Sequence, residues 1–516
     1  MNTMKAPKSH SKHVTRRTFL GMVGGGGVGV IAGMQGLSQV NGAELEGSVA
    51  VGLRKQLLVD DYVVAEKVNV TRELGRVIKA NGGEPIKFWT KDTDGRRVRL
   101  KAWIYASPHY DDKRKIFCMW SRVATDGQNM RYGYSESTDG VNFEFKTELE
   151  GLYSNGDYNS VVYVDLHETD PNHRYKIGYD GARPGVPNGA CLAHSADGIH
   201  WIPYNDGKPV TGRAADFTNC LIWDADARIY RLFTRTDYGT AGGPTEIRGM
   251  RSMTNPDVKT DPTAWSLVRN WLLDREGKEE HRRRQIYTMT DWIYCGVHFG
   301  LFSVYEWPGD FSEGKATDHV TRHERDVLNY YIATSRDGNQ FDLTWIYAGQ
   351  PLVARGGKGA WDKDLILPAN WIVTHADKHW IYYGGANERH GTESVFAPQR
   401  DSAMGLATLR LDGFVCLAAG NQHGSVVTKP FLLEGKRLEL NVDAKAGEVQ
   451  LDVLAADGKP ATGFSGESSP VFKSVYELNL QARWSGRSDL GPLMGKVVRL
   501  RFRFRNAKLY AFQVRP

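Results

Sequence analysis

A chain of 516 residues has room for two or three domains, and 41% hydrophobic with 11% aromatic residues describes a folded globular protein. The formal charge of +6 is local: Lys5, Lys8, Lys12, Arg16 and Arg17 precede residue 43 with no acid among them, so the remainder is close to neutral. That balance excludes a general nucleic-acid binder, and five scattered cysteines without CxxC or Cys/His spacing exclude a zinc site or a disulfide scaffold.

Residues 1–43 stand apart. "TRRTFLG" (15–21), followed by a Gly-rich and weakly apolar stretch, reads as a twin-arginine export signal, an address recognised by a receptor. Residues 19–34 are too short and too rich in glycine for a membrane anchor. Cleavage after Ala43 then leaves a periplasmic or extracellular protein with no membrane partner, although Asn41 departs from the small-residue rule.

From 44 to 420 one turn recurs. "STDGVNF" (137–143), "SADGIHW" (195–201) and "SRDGNQF" (335–341) share Ser-x-Asp-Gly and an aromatic, "RLDGF" (410–414) is a reduced form, and "MRSMTNP" (250–256) stands where a copy is missing. Asp-Gly between apolar runs is a hairpin signal, because Gly accepts positive φ and Asp bonds its own backbone. Five units at intervals of 58 to 82 residues, rich in β-branched and aromatic runs and poor in helical periodicity, predict four-stranded blades and hence an all-β, five-bladed β-propeller. The repeated turn is expected to be structural, with its aromatic packed between blades.

After residue 421 the repeat stops. In "VVRLRFRF" (497–504), Val498, Leu500, Phe502 and Phe504 alternate with Arg499, Arg501 and Arg503. Strands buried on one face only predict a β-sandwich over 421–516, with the arginine row as a solvated face.

In each blade the inner strand starts on the propeller face to which the antiparallel second strand returns. Counting back from the turns puts Asp157, Asp216, Asp291 and Asp364 at inner-strand starts, 40, 39, 46 and 48 residues ahead. Asp180, Asp237, Glu306 and Glu388 fall at second-strand ends, with Tyr158, Phe217, Tyr238, Trp292 and Trp307 among them. Paired carboxylates beside aromatic platforms suit glycosidic-bond cleavage, where one carboxyl protonates the leaving oxygen and another activates water or attacks the anomeric carbon. The expected catalytic group is Asp157, Asp216, Asp291 and Glu306, with Glu306 or Asp291 as the acid and Asp157 or Asp216 as the base.

These features resemble the five-bladed propeller glycoside hydrolases of the arabinanase, invertase and levansucrase type. "LLVDDYVV" (57–64), "MGLATLRLDGFVCL" (404–417) and "VVTKPFLLEGKRLELNV" (426–442) are similar to a group of exported bacterial proteins described as glycosyl hydrolase-like. The resemblance spans about residues 50–516 and implies fold strongly and substrate weakly. One departure is Arg99, in "RRVRLKAW", which stands where the family's first blade carries an Asp. Arg99, Tyr158, Asp180, Asp237, Tyr238, Trp292, Trp307 and Glu388 are the expected substrate-binding set.

"HRRRQ" (281–285) and "RHERD" (322–326) are either solvated loops or a lining for an anionic sugar or phosphate. No transition metal and no cofactor are called for; a Ca²⁺ ion in a carboxylate-lined channel is left open. The leading expectation is an exported glycoside hydrolase with a carbohydrate substrate. A glycan-binding propeller without catalysis and a glycoside phosphorylase on the same fold are the alternatives.

Overall fold

The computed structural model describes residues 47–124, 131–153, 160–183, 186–212, 218–238, 247–274, 283–307, 326–389, 402–485 and 489–516, and it is all-β across them. The first unit is a closed sheet of Lys87–Lys91, Arg97–Asp111, Ile116–Ala124, Arg131–Ser137 and Asn142–Glu148, in which the last strand pairs parallel with the first. The second is the antiparallel meander Val161–Val164, Tyr175–Arg183, Val186–Ser195, Ile202–Pro203, and the third is Cys220–Asp224, Ile229–Tyr238, Ile247–Asn255, Ser266–Trp271. An eight-stranded sheet holds the rest as two meanders joined by one parallel pair, Leu328 with Leu365. The fourth runs Arg284–Tyr294, Val297–Glu306, Val327–Ser335; the fifth runs Leu365–Pro368, Lys378–Ala386, Ser402–Arg410.

Burial follows strand order within a unit. In the third unit, Cys220–Asp224 is buried at all but Trp223, whereas Ser266–Trp271, the outermost strand, is exposed at all but Trp271. Continuous apolar runs thus mark the strands covered on both faces. The innermost strands touch in sequence: first with second, second with third, third with fourth, and the fifth back against the first. The fifth unit takes its outer edge from Ile78–Lys79, which pairs with Thr408 and Ala407.

The Ser-x-Asp-Gly turns share one hydrogen-bond pattern. The Ser137, Ser195 and Ser335 hydroxyls accept the N–H of Gly140, Gly198 and Gly338 at 2.9, 2.9 and 3.0 Å. Asp139, Asp197 and Asp337 Oδ1 each accept two further backbone N–H groups, at 2.7 to 3.0 Å. Each glycine has positive φ, and its carbonyl accepts from the second strand of the preceding unit: Tyr382 Oη to Gly140, Trp120 Nε1 to Gly198, Arg231 Nη1 to Gly338. A Cβ on Gly198 would lie 2.9 Å from the Trp120 ring. Phe143, Trp201 and Phe341 are buried, as the packing role of the motif requires. The turn is therefore a staple between neighbouring units.

"RLDGF" departs from this pattern. Asp412, not Gly413, takes positive φ (62°), and its buried carboxylate accepts from Lys55, Tyr294 and Asn441 at 2.7, 2.7 and 2.9 Å. Asn441 lies in the C-terminal sheet, so this turn ties that sheet to the fifth unit.

The C-terminal sheet has ten strands, and three come from the N-terminal side: Gln56–Leu57, Val64–Val68 and Thr71–Leu74. Gln56 pairs with Phe512 and Val64 with Thr428. The expected boundaries at 44 and 421 thus shift. Residues 56–74 join the C-terminal strands, as does Val415–Ala419, because a strand pairs by edge and register and not by its place in the chain. Val498, Leu500, Phe502 and Phe504 are buried as expected. The arginine row is more than a solvated face: Arg501 and Arg503 pair at 2.9 and 3.0 Å with Asp452, whose side chain is fully buried.

Candidate functional site

Register shows which carboxylates share an end. Val161 pairs with Gly178, Cys220 with Phe233, Arg284 with Glu306 and Leu365 with Ala386. Asp180, Asp237, Glu306 and Glu388 therefore lie beside the starts of the inner strands in four successive units. Asp364 precedes the fifth inner strand, is buried, and takes a hydrogen bond from Lys363 Nζ. Asp157, Tyr158, Asp216 and Phe217 lie outside the described residues, and of Asp237 and Tyr238 only the backbone is described.

Glu306 is the best-defined carboxylate at this end. Its Oε1 accepts from Arg284 Nε at 2.5 Å, and its Oε2 accepts from the Tyr331 hydroxyl at 2.8 Å and from Asn329 Nδ2. Arg355 Nε donates to Asn329 Oδ1 at 2.9 Å and Arg355 Nη1 to the Lys363 carbonyl at 2.7 Å. Burial, then the neighbouring Glu306 charge, pushes the Tyr331 hydroxyl well above the usual tyrosine range, so it stays a donor. Both oxygens of Glu306 are thus occupied by protein donors. A cavity of about 430 Å³ opens here, lined by Arg283, Arg284, Glu306, Trp307, Tyr331 and Arg355. Of "HRRRQ", Arg284 and Gln285 open the fourth inner strand, His281 and Arg282 lie outside the described residues, and of "RHERD" only Asp326 is described. Glu388 contrasts with Glu306: its Oε2 is buried and has no hydrogen-bond partner among the described residues.

Asp291 and Trp292 do not belong to this group. Asp291 pairs with Gly300, whereas the strand begins at Arg284 opposite Glu306. At about 3.3 Å per residue, that puts Asp291 about 20 Å from the expected end. Counting back from the turns assumed connections of similar length. The fourth unit places residues 307–326 between its second and third strands, whereas the second unit needs only 184–185. Asp291 is fully buried and bonds His298 Nδ1 at 2.7 Å, while Asp224 stands 3.5 Å from His298 Nε2 and 2.8 Å from Arg231 Nε. Burial would lower the His298 pKa, but Asp291 and Asp224 overcome it and raise it to about 10. This imidazolium and its two carboxylates form a structural brace. Trp292 stacks on Tyr294 at 5.2 Å beside it. Arg99 also falls away: it is exposed and pairs with Trp89 on a hairpin beyond the first unit's second strand, which ends at Ala124.

Sequence reasoning missed the tyrosines. Tyr105 and Tyr287 bring their hydroxyls within 2.6 Å, joining the first and fourth units with Leu365 and Leu367 of the fifth in the same cluster. Each lies at a register shift, between Ala102 and Ala106 and between Ile286 and Thr288. Bulges re-aim side chains in this way. The Arg248 guanidinium lies 5.3 Å from the Tyr287 ring and 5.4 Å from the Tyr305 ring. An Ile-Tyr pair near the start of both inner strands was the available signal.

No protein-family model matches the chain, and no curated protein matches it in sequence. In fold, the chain is similar to solved glycoside hydrolases. One belongs to the GH130 family of mannoside phosphorylases, which contains glycoside hydrolases that target β-1,2 mannosidic linkages in Candida mannan. It shares 12% identity over 65% of this chain and 94% of that one, with a TM-score of 0.39. Another is a fructofuranosidase from Schwanniomyces occidentalis complexed with fructose, at 9% identity over 85% and 97% with a TM-score of 0.35. A third is a family 117 glycoside hydrolase from the marine bacterium Zobellia galactanivorans, at 10% identity over 70% and 92% with a TM-score of 0.34. At these values no chemistry is carried over from them.

Proposed function

We propose that the protein is an exported glycoside hydrolase: a five-bladed β-propeller, completed by Ile78–Lys79, with a β-sandwich built from residues 47–74 and 415–516. The observation that carries this reading is the shared end of Asp180, Asp237, Glu306, Glu388 and Asp364, where four second strands close beside the inner-strand starts. Acidic groups converging from successive blades are what protonation of a leaving oxygen and activation of water require. The acid–base pair is drawn from Asp157, Asp216 and Glu388. Glu306, with both oxygens engaged, orients the fourth unit's contribution and does not deliver a proton. The first 43 residues direct export, and replacing Arg16 and Arg17 by Lys should leave the chain in the cytoplasm; normal export of that variant would remove the twin-arginine reading.

A second reading, glycoside phosphorolysis, draws on one observation: Arg283, Arg284 and Arg355 line the cavity beside Glu306. One experiment addresses both. The mature chain is incubated with neutral and uronate-containing oligosaccharides, with and without inorganic phosphate. Release of reducing ends without phosphate supports hydrolysis, strict phosphate dependence supports phosphorolysis, and binding without turnover supports a lectin.

A further inference from the structure

A second cavity lies at the other end of the units, where each inner strand turns into its second strand. It measures about 770 Å³, within the roughly 300–1,000 Å³ range of small-molecule sites. Every unit contributes a half-buried aromatic residue to its wall: Tyr110, Tyr163, Trp223, Trp292 and Trp371, in unit order. The carboxylates around it are largely neutralised. Arg54 holds Asp226 through bonds of 2.6 and 2.8 Å, and His298 stands between Asp224 and Asp291.

We infer that this cavity is a second carbohydrate site, non-catalytic, for a short neutral oligosaccharide. Aromatic faces accept the C–H faces of pyranose rings, and five of them, one from each unit, surround this cavity. Carboxylates that are already paired offer little to a cationic ligand. No acid–base pair is left here, because Asp291 and Asp224 share His298; the site can hold a glycan but cannot cleave it. The inference shares with the proposed function only its class of ligand.

The test uses the mature chain with neutral gluco-, manno-, xylo- and fructo-hexaoses, read by tryptophan fluorescence and by calorimetric stoichiometry. At least one hexaose should bind. Trp223→Ala should weaken that binding at least about tenfold, the scale of losing an aromatic anchor. Ala225→Trp, at an exposed lining position, should block it without removing any packed group. Arg505→Ala, on the C-terminal sheet, should leave it unchanged. Failure of every hexaose to bind, or binding insensitive to both Trp223→Ala and Ala225→Trp, overturns the inference. Loss of turnover in Glu388→Gln with binding intact keeps the two readings separate. A chain that binds through Trp223 yet cleaves nothing sinks the proposed reaction and leaves this site standing.

Discussion

The two ends of the same five units are built on opposite terms. In the fourth unit the inner and second strands are joined by residues 295–296 alone, and the carboxylates at that end of the units meet cations: Asp224 and Asp291 with His298, Asp226 with Arg54, Asp165 with Lys176 at 2.9 Å. At the opposite end the fourth unit's connection lengthens to 307–326, and Glu388, like Asp291 at the first end, keeps a buried oxygen without a hydrogen-bond partner among the described residues, but has no ion pair there. Glu306 is an intermediate case, rim-placed yet fully engaged. Residue type alone says little about role here; position along the strand and the donors it meets say more. Asp291, grouped by the sequence with the rim carboxylates, lies at the other end and bonds His298.

The contrast is sharpest in stability. Asp224→Ala should cost about 3–5 kcal/mol, because it leaves His298 and Arg231 buried without their shared partner; urea unfolding measures it. A rim substitution with a comparable loss would break the comparison. The rim should respond in rate instead. Asp157→Asn, Asp216→Asn and Glu388→Gln should keep the unfolding midpoint, and the two that form the acid–base pair should lower turnover by at least about 10²-fold. Retained activity in all three variants would sink the site.

Two histidines give opposite pH signatures. His298, raised in the folded chain, contributes stability that is complete below about pH 6.5 and is lost as pH rises through about 10. Burial lowers the His379 pKa to about 3; it accepts the Asp412 N–H at 3.1 Å, so its stability holds above 6.5 and is lost as pH falls toward 3. His298→Gln should flatten the alkaline limb of a stability–pH curve, and His379→Gln the acid limb. A swap of these effects would refute the assigned charge states.

Smaller effects belong to the turns and the surface. Asp197→Ala removes two backbone hydrogen bonds from a staple and should cost about 0.5–2 kcal/mol with turnover unchanged. Arg131→Ala breaks a half-exposed pair with Glu148, and its effect should stay within about 1 kcal/mol.

Much of the scaffold was legible because its signals are local. Ser195, Asp197 and Gly198 act within a few residues of one another, and the alternation of Val498 to Phe504 declares a one-sided strand. What stayed hidden depends on distance in the chain. Nothing near Gln56 announces Phe512, and nothing near Glu306 announces Arg284, which an inserted connection had put out of phase. The Tyr105–Tyr287 contact needs two bulges, and a bulge leaves little mark on a hydrophobic pattern.

The closures at the chain's two extremities bear on the order of events in folding. Ile78–Lys79 pairs with Thr408 and Ala407, and Leu57 pairs with Ala511. Both pairings wait for segments made much later in the chain, so Gln56–Leu57 and Ile78–Lys79 remain as open edges until those partners appear. Loop-closure entropy is overcome late, and a nascent chain offers exposed strands to its neighbours meanwhile. Trimming the last strand, Ala507–Arg515, should free Gln56–Leu57 as well. Gln56–Leu57 and Ala507–Arg515 should therefore gain protection from hydrogen exchange together.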